Sequence, residues 1–211
     1  MSQPIAPRQQ SDGSLPIEEF DPEPQAFIEP GKVIRPRDVA PHCVACFFLE
    51  VLDKVTTQYG ARVVAENRWE NGPHHLYEIA YNGRRLCYYH PGIGSAQAAG
   101  LMEEVIAFGC RKFVACGGCG SLDRSVTLGQ LVCLTGAVRD EGASYHYLPP
   151  SREVEADKGV LKVITGVMAR RGVPFVHGKT WSTDAPYRET GRASPDVDPR
   201  AAWWWIWKPR A

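Results

Sequence analysis

The sequence predicts an α/β fold: a mainly parallel sheet flanked by helices, with an antiparallel hairpin attached. Three observations carry this. Short β-branched and aromatic runs alternate with segments of helical periodicity. Asn82-Gly83 separates two such runs by two residues, the signature of a tight hairpin. Residues 90–121, HPGIGSAQAAGLMEEVIAFGCRKFVACGGCGS, read as a strand end, a glycine turn, a helix, a second strand and a second glycine turn. Two such turns at one end of parallel strands mark the place where open α/β sheets bind ligands.

Taken in order, residues 1–27 are rich in Pro, Gln, Ser and acid and predict a disordered or loosely attached arm. Pro30, Gly31 and Pro36 keep regular structure brief over 28–40. Residues 42–59 read as a helix, with Val44, Phe47, Phe48, Val51, Leu52 and Val55 on its apolar side and Gly60 as its stop. Strands follow at 62–65, 76–81 and 84–89, and His74 and His75 read as exposed turn residues. Over 95–108, Ser95 can cap a helix whose apolar face is Ala98, Leu101, Met102, Val105, Ile106 and Phe108, with Gly109 at its end. Residues 129–134 are a further strand. The polar loop 136–152 is of a length that usually serves function. A helix over 155–171 and a strand over 173–181 complete the alternation, and STDAPYRET lies at the carboxyl end of that strand.

Composition narrows the functional classes. A chain of 211 residues can form one domain with a sizeable core. Lys plus Arg (24) equals Asp plus Glu (24), so no bulk charge points to nucleic acid or a membrane surface. No run reaches the roughly 18 apolar residues of a membrane span, and the polar N-terminus does not read as a signal peptide. The expectation is a soluble cytoplasmic protein. Seven cysteines, most in apolar runs, fit reduced buried thiols. Cys116 and Cys119 form one C-x-x-C, and His42, Cys43 and Cys46 a second small cluster. A single C-x-x-C with Gly-Gly inside it is weak ground for zinc or redox chemistry, so no metal is expected.

The glycine turns admit several readings. A dinucleotide fingerprint needs a third glycine where Gln97 stands, and a P-loop needs a Gly-Lys-Ser/Thr ending that is absent. Backbone N–H groups at a helix start, approached past glycines, favour a smaller anion such as phosphate. The plain alternative is that the glycines only turn the chain.

Four segments, HPGIGSAQAAGLMEEVIAFG, FVACGGCGSL, GQLVCLTGAVRDEGASYHYLP and GKTWSTDAPYRET, occur in order and at ordinary spacing. Together they resemble the nucleoside phosphorylase superfamily, on the uridine and purine phosphorylase side that forms hexamers, over residues 28–190. The resemblance implies a three-layer α/β/α fold with a mixed, mainly parallel central sheet. It implies cleavage of a nucleoside to free base and ribose 1-phosphate, inorganic phosphate as co-substrate without another cofactor, and a homo-oligomer. VRDEGASYHY resembles the uridine phosphorylase loop and favours a uridine-like substrate.

On this resemblance Gly94, Ser95 and Gly118 hold phosphate, with Arg35 and Arg68 as the possible cations, the latter reaching a neighbouring subunit. His146, Tyr147, Thr183, Asp184, Tyr187 and Arg188 border the nucleoside. Arg139 with Asp140 or Glu141 reads as a structural ion pair shaping the loop. The chain also departs from the pattern. Ala115 stands where uridine phosphorylases carry a phosphate-binding arginine, Gly118 where they have threonine, and residues 31–35 are a degraded counterpart of their N-terminal phosphate motif. Two alternatives therefore stay open: a hydrolase of the same superfamily with water in place of phosphate, or an inactive relative.

Residues 191–211, GRASPDVDPRAAWWWIWKPRA, have a different composition. Relatives continue with an arginine-rich helix and a strand ending V-x-M-E-A-A, whose glutamate holds the ribose hydroxyls. Tryptophan has a single codon, so residues 203–208 read two bases later must give Val-Val-Asp-(Met or Leu)-Glu. The same shift permits an arginine-rich stretch before it. The expectation is an out-of-frame tail beginning near Thr190, leaving the domain without its last strand and helix, poorly stable and little active. The alternative is a divergent tail that packs its tryptophans.

Overall fold

The structure, a computed structural model, describes residues 15–189. The expectations for the tail therefore lie outside the described residues. Its first extended run is β1, His42–Cys46, followed by α2, Leu49–Tyr59, where a single helix over 42–59 was the sequence expectation. The reason is visible in the packing. Cys43 and Ala45 enter one core cluster while Cys46, with Val44 against it, enters the other. A strand buried on both faces is a continuous apolar run, which periodicity alone does not separate from a helix. The same alternation puts Cys43 and Cys46 on opposite faces, so they do not form a cluster with His42. A short helix, α1, Pro30–Val33, precedes β1. Gly60 ends α2 in the left-handed region (φ 58°), as expected.

The strands β2, Arg62–Trp69, and β3, Gly72–Tyr81, run further than the apolar pattern indicated. His74 and His75 lie within β3, half-buried, where turn residues were expected. Polar cross-strand pairs extend the ladder, His75 Nε2 meeting Glu66 Oε2 at 2.7 Å. β4, Arg84–Tyr89, follows the Asn82-Gly83 turn, whose φ values of 49° and 71° are those a type I′ hairpin requires.

Next come α3, Ser95–Phe108, β5, Lys112–Cys116, β6, Val132–Asp140, β7, Glu153–Glu155, α4, Lys158–Arg170, and β8, Val176–Thr183. Leu101, Val105 and Phe108 carry the buried side of α3. α4 is capped by Asp157, whose Oδ1 accepts the Val160 N–H at 2.8 Å. β6 continues through Arg139 and Asp140, residues assigned by their polarity to the loop.

Two mixed sheets result, ordered β2-β3-β4-β1-β5 and β7-β6-β8. The parallel pairings are β1–β4, β1–β5 and β6–β8. One face of the larger sheet, with Cys43, Ala45, Cys87 and Tyr89, packs on Leu101, Val105 and Phe108 of α3. The other face, with Cys46, Ile79 and Tyr88, packs on Leu52 of α2. These are the α/β/α layers. β4 and β5 lie on either side of β1, so both glycine turns open at one end of the sheet with β1 between them.

The larger sheet is tied to the preceding chain by Glu78, a carboxylate only 3% exposed. It accepts the Ala40 N–H at 3.0 Å, Arg62 Nη2 at 2.8 Å and Arg85 Nε at 3.0 Å. Arg85 reaches on to Asp38 Oδ1 at 2.8 Å. In the N-terminal arm, the turn Pro16–Glu18 packs against the turn Ala143–His146 of the loop after β6, so this part of the arm is attached.

Candidate functional site

The carboxyl ends of β4, β1 and β5 form one edge of the site. After β4 the chain turns at Gly92 (φ 79°) and Gly94 (φ 88°) into α3. A Cβ on Gly92 would also stand 2.3 Å from the Gln97 side chain, which would have to swing away and give up the Ile93 N–H. Nothing lies within 4 Å of the missing Gly94 Cβ, and the turn is open there. Gly94 takes the helix cap position expected of Ser95, which becomes the first helical residue. The Gly92 N–H donates to His90 Nδ1 at 3.1 Å and the Ile93 N–H to Gln97 Oε1 at 3.1 Å. The first amides of α3, which have no intrahelical acceptor, are the donors that face outward.

His90 Nδ1 is thus engaged by the turn backbone. Between the glycine turns, Phe47 continues β1, donating its N–H to the Cys116 carbonyl at 3.0 Å. Its ring meets His90 edge-on, with centroids 6.2 Å apart, and would stand 3.1 Å from a Cβ on Gly117. Gly117 thus admits Phe47, while Gly118 beside it is exposed. The three strand ends carry Phe47 and Phe48, His90 to Gly94, and Gly117 to Gly120, with no Lys or Arg among them.

The second sheet supplies the opposite edge. Asp184, just past β8, accepts the Ser95 hydroxyl on Oδ1 at 3.1 Å and the Gly142 N–H on Oδ2 at 2.8 Å. One carboxylate therefore joins the first turn of α3, the loop after β6 and the end of β8. Tyr147 adds a second tie, its hydroxyl donating to Glu103 on α3. Partial burial, and then that carboxylate, push the Tyr147 phenol up to about 12.

Arg139 shapes the loop, but not through the ion pair expected with Asp140 or Glu141. The residue is 5% exposed and gives its protons to neutral oxygens: Ser144 Oγ at 2.9 Å, the Pro149 carbonyl at 2.8 Å, Ser151 Oγ at 2.7 Å and the Leu148 carbonyl at 3.3 Å. The Tyr145 ring lies 4.3 Å from its guanidinium. Glu141 is one hydroxyl away, accepting from Ser144. Asp140 instead accepts from Trp181 Nε1 at 3.0 Å. A cavity of about 510 Å³ opens beside Arg139, Asp140, Tyr145, Arg152 and Trp181.

Of the predicted site residues, the fold brings Gly94, Ser95 and Asp184 into one cluster and ties Tyr147 to the same helix. Gly118 is at the same sheet end, across Phe47. His146 is exposed at the end of its turn. Thr183 Oγ1 accepts the Ala185 N–H at 3.2 Å, and Tyr187 and Arg188 stand exposed on the turn Pro186–Arg188. Arg68, at the end of β2, lines a cavity of about 540 Å³ with Trp69, Gln97 and Glu104. Arg35 is elsewhere. Arg37 donates its N–H to the Phe108 carbonyl at 2.8 Å, so this segment passes the carboxyl end of α3, a 14-residue helix that begins at Ser95. That helix is about 21 Å long.

Phe47, Glu103 and Gly142 enter the site without having been singled out. Phe47 was hidden in an apolar run, and the other two gain meaning only from partners remote in sequence. Among the described residues no three His, Cys, Asp or Glu side chains gather as a metal site. No described helix is long and apolar enough to cross a membrane.

Residues 41–203 match the family model of the phosphorylase superfamily. A guanosine phosphorylase of Halorubrum lacusprofundi is 30% identical over 130 residues, 62% of this chain and 52% of the relative. A uridine phosphorylase of Thermococcus kodakarensis is 28% identical over 159 residues, 75% of this chain and 56% of the relative. The chain thus spans about half the length of these curated relatives. Among solved structures, uridine phosphorylase from Vibrio fischeri ES114 superimposes with a TM-score of 0.65 at 22% identity, covering 82% of this chain and 71% of that one. The α/β fold is shared.

Proposed function

The chain belongs to the phosphorylase superfamily, and from that premise we propose that it cleaves the N-glycosidic bond of a nucleoside with inorganic phosphate as acceptor. A phosphate oxygen bonds to the ribose C1′ as the C1′–N bond breaks. The bonding pair leaves with the base, which takes up a proton, and ribose 1-phosphate remains. The transition state needs an anion held below C1′ and a departing base stabilised above it. Positioned donors can supply this without a protein nucleophile.

The observation that carries the reading is the meeting of Ser95, Gly142 and Asp184 at the ends of two sheets. Outward amides at Gly94 and Ser95, with Gly118 opposite, are the phosphate donors in this account. Tyr147 and His146 on one loop, Thr183 at the end of β8, and Tyr187 and Arg188 after it border the nucleoside. A uridine-like substrate is favoured by the VRDEGASYHY segment. We also propose that the protein assembles at least as a dimer. Val63, Tyr59 and Tyr81 leave apolar surface exposed at one side of the larger sheet. A monomeric mass in light scattering would contradict this.

Hydrolysis is the second reading, and the make-up of the carboxyl strand ends favours it: Phe47 and Phe48 follow β1, Ala115 lies in β5, and residues 90–94 and 117–120 include no Lys or Arg. An anion there would rely on backbone donors and the Ser95 hydroxyl. Incubating the protein with uridine, inosine and guanosine, with and without phosphate, separates the two. Ribose 1-phosphate formed only with phosphate supports phosphorolysis, whereas free ribose formed equally in both supports hydrolysis.

A further inference from the structure

The proposed phosphate turn already contains an anion. Asp184 Oδ1 accepts the Ser95 hydroxyl at 3.1 Å and Oδ2 the Gly142 N–H at 2.8 Å. Ser95 has one hydroxyl proton, and while it goes to Asp184 it cannot go to a bound phosphate. The carboxylate also places a negative charge within a few ångströms of any phosphate held by the Gly94 and Ser95 amides. Residues 90–97, 117–122 and 181–185 include no Lys or Arg. His90 Nδ1 is occupied as the acceptor of the Gly92 N–H.

Resting on the reading that phosphate binds at Gly94 and Ser95, we propose that Asp184 is a positioning residue that competes with phosphate for the Ser95 hydroxyl. Asp184 holds the first turn of α3 against the 141–147 loop. Phosphate entry turns the Ser95 hydroxyl from Asp184 to a phosphate oxygen, so the carboxylate lowers affinity for the acceptor and sets the loop contact that acceptor binding must loosen. Its effect falls on phosphate binding, not on the bond-breaking step.

The test is a phosphate titration by calorimetry of wild type, Asp184→Asn, Asp184→Glu, Ser95→Ala and the Ser95→Ala/Asp184→Asn pair. Asparagine keeps an acceptor for Ser95 while removing the charge. It should bind phosphate about tenfold more tightly than wild type, the scale of one like charge at this range in a half-solvated site. Measured against Ser95→Ala, the double variant should keep the part of that gain owed to the removed charge and lose the part owed to the Ser95 hydroxyl, and glutamate should restore the wild-type value. Should the asparagine variant fold poorly, Asp184→Ser also removes the charge and keeps an acceptor, with the same direction expected. Equal or weaker phosphate binding by the charge-removing variants, against measurable wild-type binding, overturns the inference and leaves the phosphate site standing. No phosphate binding by any variant, with nucleoside cleavage unchanged without phosphate, overturns the phosphate site and the inference with it.

Discussion

Tyr147 donates its hydroxyl to Glu103, 44 residues earlier in the chain, and so fixes the loop after β6 to the helix that opens at Ser95. With its phenol pushed up to about 12, Tyr147 remains the donor at all ordinary working pH values. Removing that hydroxyl by Tyr147→Phe should cost about 0.5–1.5 kcal/mol of global stability, as for one exposed hydrogen bond. Its local effect should be larger. Amide exchange over 141–152 should accelerate while the centre of α3 is unchanged. Unaltered exchange in the loop would show that the contact does not hold it.

Arg139 predicts a stronger effect. Its guanidinium satisfies carbonyl and hydroxyl oxygens from 144 to 151 in one side chain. Arg139→Ala leaves those groups without a donor and should destabilise the protein by about 3 kcal/mol or more. Arg139→Lys keeps the charge but lacks the planar fork, so it should recover only part of the loss. Thermal unfolding of the two variants measures both. A lysine variant as stable as wild type would mean that charge alone matters.

Gly92 and Gly94 separate folding from binding. Gly94 has a left-handed backbone but open space around it, whereas a Cβ on Gly92 also collides with Gln97. Gly94→Val should cost about 1–3 kcal/mol through backbone strain and weaken phosphate binding further by narrowing the approach. Gly92→Val should be worse for folding. Equal phosphate affinity in wild type and Gly94→Val would remove Gly94 from the phosphate site.

The contrast between these residues shows what the sequence could disclose. The Asn82-Gly83 hairpin, α3 and the glycine turns were legible because each depends on residues within one turn or one strand. β1 was not, since Val44, Phe47 and Phe48 happen to fit helical spacing while the run is buried on both faces. The division into two sheets and the Ser95–Asp184 contact, 89 residues apart, depend on packing that no local pattern encodes. Arg139 looked like half of an ion pair because its neighbours are acidic. Strand geometry turns Asp140 to Trp181 instead, and the loop carbonyls take the guanidinium.

Glu78 gives the stability a pH dependence. Burial alone would raise its carboxyl, but hydrogen bonds from Arg85, Arg62 and the Ala40 N–H outweigh that and hold it below the usual carboxylate range. A carboxyl depressed in the folded state stabilises fully above its unfolded pKa, about 4.3. That stability is lost as pH falls through the folded value. Wild type should therefore lose melting temperature more steeply than Glu78→Gln between about pH 5 and 3. Parallel melting curves over that range would contradict the assignment.

Phosphate dependence of nucleoside cleavage separates phosphorolysis from every other reading of the site. With uridine as first substrate and products resolved by chromatography, phosphorolysis gives free base and ribose 1-phosphate in equal amounts when phosphate is present, and neither when it is withheld. Base and free ribose released at the same rate in phosphate-free buffer would contradict it.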